Sequence, residues 1–289
     1  MGACQLLMHE TGFDLDAYLA RIGLPRPTGS AQDVLRAIVA HHTAAIPFES
    51  IDAFLGRGIA IDTDSLTDKL IHRRRGGYCF EQNLLLLAAL RALGFDAAPR
   101  LARVLRGRTD DAMTPRTHVM LRVELADGPF LADVGFGNLT PTAPLAFDTE
   151  APQSTGHEPF RIVPFGAEWL VQACLAGAWQ TLYRLGPDTP ASIDLEVANW
   201  FTATHPASPF TGNLIVARPA PGERRTLFNN RFAEPGGAGT RVTHPSDADG
   251  LRSVLTEAFG LCLDEPDIAA LAAAIRDKPE DARYQAYFS

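Results

Sequence analysis

Three side chains of this sequence have the types, and the order along the chain, that nucleophilic catalysis by a thiol requires. Cys79 comes first, His118 follows it, and Asp133 comes last. A thiol becomes an effective nucleophile when a neighbouring imidazole removes its proton, and a carboxylate orients that imidazole. The sequence therefore supplies every member of a Cys-His-Asp triad.

Each of the three residues also has an ordinary structural explanation. A buried cysteine at the start of a helix is more often a small packing residue than a nucleophile. A histidine at the start of a strand, or an aspartate at the end of one, often serves only to cap or to pack. The catalytic interpretation therefore depends on the set and not on any single member.

The cysteine is predicted to lie in the first turn of a buried helix. Residues 78–93 are apolar on nearly every side, and Gly94 ends the pattern. Gly76 and Gly77 allow a tight turn just before this helix. Because the helix dipole and unpaired backbone N–H groups stabilise a thiolate at a helix start, the position suits a reactive Cys79.

The other two members of the set are predicted to meet in a β-hairpin. Alternating apolar residues indicate strands at 118–125 and 130–134, with turn residues between them. His118 opens the first strand, and Asp133 lies at the end of the second. Antiparallel pairing would place both at the same end of the hairpin.

Periodicity along the whole chain predicts helices first, then strands, then a mixture. Five or six short strands in succession are typical of an antiparallel sheet or a small barrel. The predicted helices cover residues 14–22, 31–42, 64–70, 78–93, 194–201, 247–259 and 266–275. The predicted strands cover residues 97–105, 118–125, 130–134, 160–164, 168–174, 179–185, 213–217 and 225–228.

Several segments resemble the arylamine N-acetyltransferases, and together they span nearly the whole chain. These segments are residues 17–23, 46–49, 75–83, 117–118, 133–137 and 200–206. The triad members stand in three separate segments and in the family's order, which favours a catalytic role for the set. The chain departs from the family in two places: Ser50 stands where many members have Asn, and the chain starts with an extension of several residues.

The resemblance implies an α+β fold with an N-terminal helical bundle, a central antiparallel β-barrel-like domain and a C-terminal α/β lid. We place the helical domain, which carries Cys79, at residues 1–95. The barrel domain, with His118 and Asp133, covers residues 96–200, and the lid covers residues 201–289.

The resemblance also implies a reaction. Cys79 takes the acetyl group of acetyl-CoA as a thioester, and coenzyme A leaves before an arylamine, arylhydrazine or hydrazide attacks, which gives ping-pong kinetics. Asp133 fixes the tautomer of His118, and His118 accepts the proton that the amine releases. The resemblance further implies a role in xenobiotic metabolism.

Residues around the triad are expected, by resemblance, to contact the two substrates. Aromatic side chains suit a pocket for a flat amine, although each is equally an ordinary core residue. Backbone N–H groups of a glycine loop suit the coenzyme pyrophosphate, although turn formation explains the same glycines. The predicted acceptor contacts are Phe48, Phe80, Val104, Thr117, Phe136 and Phe210. The predicted coenzyme contacts are Thr117, Gly135 and Gly137.

The charge distribution argues against nucleic acid as a partner and is compatible with a phosphorylated small molecule. The net charge is −8, which disfavours general nucleic-acid binding. Residues 70–122 nevertheless contain ten arginines and four acidic residues. Such a cluster suits a coenzyme with several phosphates, and solvated surface arginines explain it equally well.

The cysteines and the hydropathy pattern predict a cytoplasmic protein without a metal. Cys4, Cys79, Cys174 and Cys262 are too widely scattered for a metal-binding pair, and a disulfide framework is not expected in a reducing cytosol. The start of the sequence does not have the pattern of a signal peptide. The longest apolar run, residues 84–90, is too short to cross a bilayer, so no membrane association is expected.

Three other functions fit parts of the pattern. Thiol hydrolases of the papain or transglutaminase type use Cys, His and Asp in the same order, and amide synthases within the resembled family use the triad on a larger acyl group. A non-catalytic coenzyme-binding or scaffold protein is the third possibility. The intact triad argues against it, because such a protein has no need of all three groups.

Overall fold

The computed structural model describes residues 13–220, 223–236, 239–245, 247–276 and 278. The helices are α1 (Leu15–Arg21), α2 (Ala31–Ala45), α3 (Ile51–Phe54), α4 (Thr63–Leu66), α5 (Cys79–Ala92), α6 (Ser192–Thr204), α7 (Pro209–Gly212), α8 (Ala248–Ser253) and α9 (Glu265–Ile275). Two π-helical turns, Thr67–His72 and Val254–Ala258, continue α4 and α8, and Gly137–Leu139 forms a 3₁₀ turn.

The strands form two antiparallel sheets. They are β1 (Phe48–Glu49), β2 (Asp96–Val104), β3 (Arg116–Leu125), β4 (Gly128–Ala132), β5 (Leu145–Ala146), β6 (Phe160–Phe165), β7 (Glu168–Leu175), β8 (Ala178–Leu185), β9 (Ile215–Ala220), β10 (Glu223–Phe228), β11 (Arg231–Gly236) and β12 (Gly239–Thr243). Within the described residues, the larger sheet has the order β5-β4-β3-β2-β8-β7-β6, and the smaller has the order β1-β9-β10-β11-β12.

Helix α5 lies in the centre of the helical part, as its sequence predicts. All its residues from Cys79 to Leu90 are buried, because an apolar surface on every side must be covered on every side. Its N-terminus is capped by the Glu81 carboxylate, which accepts the Tyr78 N–H at 3.0 Å. The chain leaves the helix through Gly94, whose φ of +84° is a left-handed conformation that glycine adopts without strain.

The seven-stranded sheet curls into a nearly closed barrel, and one glutamine side chain joins its two edges. The backbone of Gln153 exchanges hydrogen bonds of 2.7 and 2.9 Å with Phe160 of β6. Its side-chain amide accepts from the Ala146 N–H at 2.7 Å and donates to the Ala146 carbonyl at 2.9 Å. Because Ala146 belongs to β5, Gln153 satisfies edge groups that would otherwise lack partners.

The five-stranded sheet connects the start of the chain with its end. Phe48 of β1 pairs with Ala217 of β9, and the Ser50 hydroxyl accepts the Ile215 N–H at 3.0 Å. Ile215 and Ala217 face the core that contains Cys79, whereas side chains on the other face of the sheet pack against α8 and α9. A strand from the helical part therefore completes the C-terminal sheet.

The predicted α+β fold class is confirmed, with helices, a barrel-like antiparallel sheet and a C-terminal α/β region. The domain boundaries at residues 95 and 200 stay a prediction. Periodicity missed β1, β5, α3 and α7, because elements of two to four residues are too short to show a period. It also missed β11 and β12, because the Pro and Gly residues at 235–237 favour a connection over a strand. No helix within the described part of the chain has both the length and the apolar character to span a bilayer.

The role of Gln153 in closing the barrel is testable. Gln153→Ala should lower the free energy of unfolding by about 1–3 kcal/mol, because the Ala146 N–H and carbonyl lose their partners. Chemical denaturation measures the change. Gln180→Ala, at an exposed position on β8, is the control, and equal losses for the two variants would contradict a closing role for Gln153.

Candidate active site

The three predicted residues come together where α5 meets the barrel. Cys79 is the first residue of α5, His118 lies on β3, and Asp133 directly follows β4. Strands β3 and β4 pair antiparallel with Leu121 opposite Ala132, so His118 and Asp133 lie at the same end of the hairpin. The His118 Nε2 is 2.7 Å from the Asp133 Oδ2.

The orientation of the His118 ring determines the role that each nitrogen can take. Nε2 is engaged by Asp133, so Nδ1 is the nitrogen that can exchange a proton with Cys79, whose interaction with His118 contributes to the raised pKa of this imidazole. The sulfur of Cys79 also lies 3.6 Å from the Thr117 carbonyl oxygen. This arrangement can move a proton from a thiol to an imidazole whose other nitrogen is held by a carboxylate.

Electrostatics make His118 an unusually strong base. Burial is the largest single effect and lowers its pKa, but the charge and hydrogen bond of Asp133, with smaller contributions from Cys79, outweigh burial and raise the pKa to about 10. The pKa of Asp133 is lowered in turn. Burial raises it, and the His118 charge, the His118 hydrogen bond and further donors more than offset that effect.

The further donors to Asp133 come from three different parts of the fold. The Asn83 side-chain amide donates to Oδ1 at 3.0 Å, and the Gly135 N–H donates to the same oxygen at 2.9 Å. The Tyr183 hydroxyl donates to Oδ2 at 3.0 Å. The carboxylate therefore accepts four hydrogen bonds and is 1% exposed.

Sequence reasoning missed Asn83 and Tyr183 as site residues. Asn83 lies one helical turn after Cys79, inside the segment that resembles the family, so its position on the same helix face was a usable signal. Tyr183 lies on β8, and its ring packs 4.9 Å from both the His118 and the Phe136 ring centroids. Nothing local to Tyr183 indicated this contact, because it depends on how the barrel closes.

The loop before Cys79 is held close to β1, and its glycines are needed for that approach. A Cβ at Gly76 would lie 2.2 Å from the Pro47 carbonyl oxygen, and one at Gly77 would lie 2.7 Å from the Glu81 Cβ. Gly77 also accepts the Glu49 N–H at 3.1 Å. A side chain at Gly76 would therefore push the turn before Cys79 away from Pro47 and β1, and one at Gly77 would displace the Glu81 cap.

Buried ion pairs hold the same loop from behind. The Arg75 guanidinium donates to Glu49 at 2.7 and 3.0 Å. The Lys69 ammonium lies 2.6 Å from Glu81 and 2.5 Å from Asp52. Burial raises the pKa of Glu81 to about 7, with a further rise from the Glu49 charge, while Lys69 opposes the shift. The cap of α5 is therefore tied to β1, α3 and the π-helical turn after α4.

The predicted acceptor contacts differ in how much of each side chain is exposed. The Phe136 ring meets His118 edge-on, with centroids 4.9 Å apart. Phe210 lies 5.9 Å from Phe48 and 5.7 Å from Tyr78 between ring centroids. Phe136 and Phe210 are partly exposed, so they have surface available to a ligand.

The remaining predicted acceptor contacts are less open. Phe80 is fully buried beside Tyr78 in the helical core. Val104 lies at the end of β2, opposite Tyr183, and Thr117 places its backbone carbonyl against the Cys79 sulfur. Val104 and Thr117 are both partly exposed.

The two predicted coenzyme glycines lie in the loop that follows Asp133. A Cβ at Gly135 would lie 2.8 Å from the Cys79 Cα, so this backbone packs directly on the start of α5. Gly137 has a φ of +69°, which favours glycine. The Gly135 N–H is already bonded to Asp133.

Several arginines of the cluster at residues 70–122 are engaged in ion pairs. Arg73 pairs with Asp68, Arg75 with Glu49, Arg116 with Asp188 and Arg122 with Glu124. These pairs reduce the charge that the cluster can offer to a coenzyme.

The other cysteines lie apart from the site. Cys174 is on β7, Cys262 is exposed after α8, and Cys4 lies outside the described residues. Among the residues that the structure describes, no three His, Cys, Asp or Glu side chains are grouped so that they could hold a metal ion.

The chain is similar to known proteins over most of its length. A family model described as N-acetyltransferase matches residues 31–268. The arylamine N-acetyltransferase of Mycobacterium tuberculosis H37Rv is 40% identical over 252 residues, covering 86% of this chain and 89% of that protein. The M. smegmatis arylamine N-acetyltransferase structure matches with a TM-score of 0.86 at 37% identity, covering 92% of this chain and 100% of the other. The Mycobacterium marinum arylamine N-acetyltransferase, solved in complex with CoA, matches with a TM-score of 0.84 at 36% identity, covering 91% and 99%.

The His118–Asp133 pair predicts a stability loss at alkaline pH. The folded-state pKa of about 10 exceeds the ordinary value of 6.5, so the stabilisation is fully present below pH 6.5 and is lost as pH rises through 10. The free energy of unfolding should therefore fall by up to about 1.4 kcal/mol per pH unit across this window. Denaturant unfolding from pH 7.5 to 9.5, with His118→Gln as the reference, measures it. Parallel curves for the two proteins would rule out a raised pKa.

Proposed function

The chain belongs to the arylamine N-acetyltransferase family and is therefore an acyltransferase, and we propose that it acetylates arylamines, arylhydrazines and hydrazides from acetyl-CoA through an acetyl-Cys79 thioester. In this proposal Cys79, His118 and Asp133 are the catalytic residues. The CoA complex of the M. marinum relative supports coenzyme A as the carrier of the acetyl group.

One observation carries the proposal: the His118 ring is bonded to the buried Asp133 carboxylate, and its raised pKa includes a contribution from Cys79, the thiol at the start of α5. The raised pKa of His118 supports proton uptake from the Cys79 thiol. Unpaired N–H groups of the first turn of α5 favour negative charge at the same sulfur.

The first half-reaction forms the acetyl-enzyme. The Cys79 sulfur, as a thiolate paired with protonated His118, attacks the thioester carbonyl and forms a new carbon–sulfur bond. The bond to the coenzyme sulfur then breaks, and the His118 imidazolium returns its proton to that leaving thiolate. Asp133 stabilises the imidazolium until this transfer.

The second half-reaction consumes the acetyl-enzyme. An arylamine suits this step because its weak basicity leaves the nitrogen lone pair free at neutral pH. The nitrogen attacks the acetyl carbonyl, His118 accepts a proton from it, and the bond to the Cys79 sulfur breaks. The protonated His118 and the released sulfur then restore the starting state. Because coenzyme A leaves before the amine reacts, the kinetics are ping-pong.

We assign the acceptor pocket to the aromatic residues at the mouth of the site. Phe136 and Phe210 offer ring surface for a flat amine, and Phe48, which is 6% exposed, presents only a small part of its ring, with Val104 and Thr117 as smaller contacts. Phe80, which is fully buried, then acts behind the pocket wall and not at its surface. The backbone of Gly135 and Gly137 and the Thr117 region are assigned to the coenzyme side.

The acetyl-enzyme is the most direct test. Wild-type protein mixed with acetyl-CoA and no amine should gain the mass of one acetyl group in intact-mass spectrometry, and added arylamine should remove it. Cys79→Ala should stay folded and gain none, because the acyl group has no sulfur to bind. Cys262→Ala, which changes an exposed cysteine, should behave as wild type.

Free coenzyme A, measured in the same reaction mixture, separates transfer from hydrolysis. A thiol hydrolase would release coenzyme A continuously without an amine, whereas a transferase should release one equivalent and then stop. Acetylation of the Cys79→Ala protein would falsify the assignment of the nucleophile.

Asp133→Asn tests the orientation of His118. The amide keeps the carboxylate's shape but favours the wrong imidazole tautomer, so the rate of acetyl-enzyme formation should fall by about 10⁴, as in the serine protease triad. Asp127→Asn, at an exposed turn position between β3 and β4, is the control. If Asp133→Asn loses less than about tenfold, another group orients His118.

A further inference from the structure

The loop from Asp133 to Thr140 is fastened at both ends. At its start, Asp133 is bonded to Asn83 and to the Gly135 N–H. At its end, the Thr140 hydroxyl donates to the Gly137 carbonyl at 2.9 Å. The far end also receives a guanidinium from the C-terminal sheet.

That guanidinium belongs to Arg224 on β10. Its Nη1 donates to the Asn138 carbonyl, and both Nη atoms lie 3.2 Å from the Thr140 carbonyl oxygen. Its Nε and Nη2 donate to the two carboxylate oxygens of Glu158, at 3.3 and 2.5 Å. One planar group therefore joins β10, the loop and the segment before β6.

Because the Arg224–Glu158 pair is largely buried, its position depends on the position of the loop. The side chains of Arg224 and Glu158 are 14% and 15% exposed. A guanidinium with so little access to water needs protein acceptors for its N–H groups. The two loop carbonyls supply the acceptors that Glu158 does not, so the loop cannot shift without breaking bonds to a buried cation.

Arg224 is also connected, through the strands of its sheet, to Phe48 on β1. Strand β10 pairs with β9, and β9 pairs with β1, where Phe48 lies opposite Ala217. The loop packs against this strand, because a Cβ at Gly137 would lie 3.8 Å from the Phe48 ring, which is an ordinary van der Waals contact. The sheet that anchors Arg224 therefore carries one wall of the pocket, and the loop that Arg224 holds carries the other.

We propose that Arg224, held by Glu158, is a positioning residue that sets the spacing between the Phe136–Gly137 loop and Phe48, and thereby the size of acceptor that the site admits. The inference rests on the proposed function, which assigns both walls to the acceptor pocket. Arg224 acts through the loop backbone and does not touch the reacting atoms.

A second Arg–Glu pair in the same sheet gives a matched control. Arg241 of β12 pairs with Glu234 of β11, at the edge of the sheet far from β1. The Arg241 side chain is 65% exposed. Loss of this pair should leave both pocket walls in place.

Three variants separate positioning from stability. Arg224→Met with Glu158→Leu removes both charges together, and such replacements of a buried pair are often neutral for stability. Arg224→Lys keeps the charge but cannot hold Glu158 and two carbonyls in one planar fork. Arg241→Met alone is the control, because Glu234 also lies 3.9 Å from Arg225 of β10, and melting temperatures are recorded for all three.

The expected result is a change in selectivity with an intact nucleophile. For the Arg224/Glu158 double variant, kcat/KM for naphthylamine relative to aniline should shift by about tenfold in favour of the larger amine. KM for aniline should rise while kcat is kept. Acetylation of Cys79 by S-acetyl-N-acetylcysteamine, followed by intact mass, should keep the wild-type rate. The selectivity ratio of Arg224→Lys should lie between those of wild type and the double variant, and the ratio of the control variant should match wild type.

Two results would overturn the inference. One is an unchanged selectivity ratio in the double variant. The other is an equal loss in the rate of Cys79 acetylation, which would mean that Arg224 supports the whole site and not the acceptor pocket. If the double variant unfolds, the selectivity ratio and the rate of Cys79 acetylation are measured on Arg224→Lys instead, and the same two results would overturn the inference. Failure of the proposed function is seen separately, because wild-type protein would then gain no acetyl group from acetyl-CoA.

Discussion

The negative charge of Asp133 is buried where the helices meet the barrel, and the surrounding elements are arranged to satisfy it. A buried carboxylate is strongly destabilising unless donors compensate the lost hydration. Here the donors come from α5 through Asn83, from β3 through His118, from β8 through Tyr183 and from the backbone at Gly135. Satisfying one anion therefore fixes the position of α5 relative to three parts of the barrel, and with it the distance from thiol to imidazole.

The same constraint recurs in the turn that precedes Cys79. The Lys69 ammonium is shared between Asp52 and Glu81, and Arg75 is bonded to Glu49. Such clusters are tolerated in a low-dielectric interior only when each charge has partners with good geometry. They therefore specify a single arrangement of the turn before Cys79. This rigidity suits the proposed chemistry, because a nucleophile misplaced by 1 Å loses much of the advantage of proximity.

Close backbone approach explains why glycines flank the site on both sides. Gly76 packs against the Pro47 carbonyl, and Gly135 packs on the Cys79 Cα, each at a distance that leaves no room for a Cβ. A larger residue at either position would separate the strand, the loop or the helix that together hold the triad. The glycines thus act mainly through packing, and only Gly137 of this loop has a backbone conformation that itself requires glycine.

The sequence by itself determined the chemical groups, the buried helix that begins at Cys79 and the hairpin that aligns His118 with Asp133. These follow from local periodicity and short-range turns, which neighbouring residues encode. The domain boundaries and the catalytic roles stay proposals. Only the tertiary structure decided that Tyr183 donates to Asp133 and that Arg224 donates to the loop that follows Asp133. Those contacts join strands far apart in sequence, and their partners are chosen by barrel closure and by the need to satisfy buried charge, neither of which leaves a local pattern.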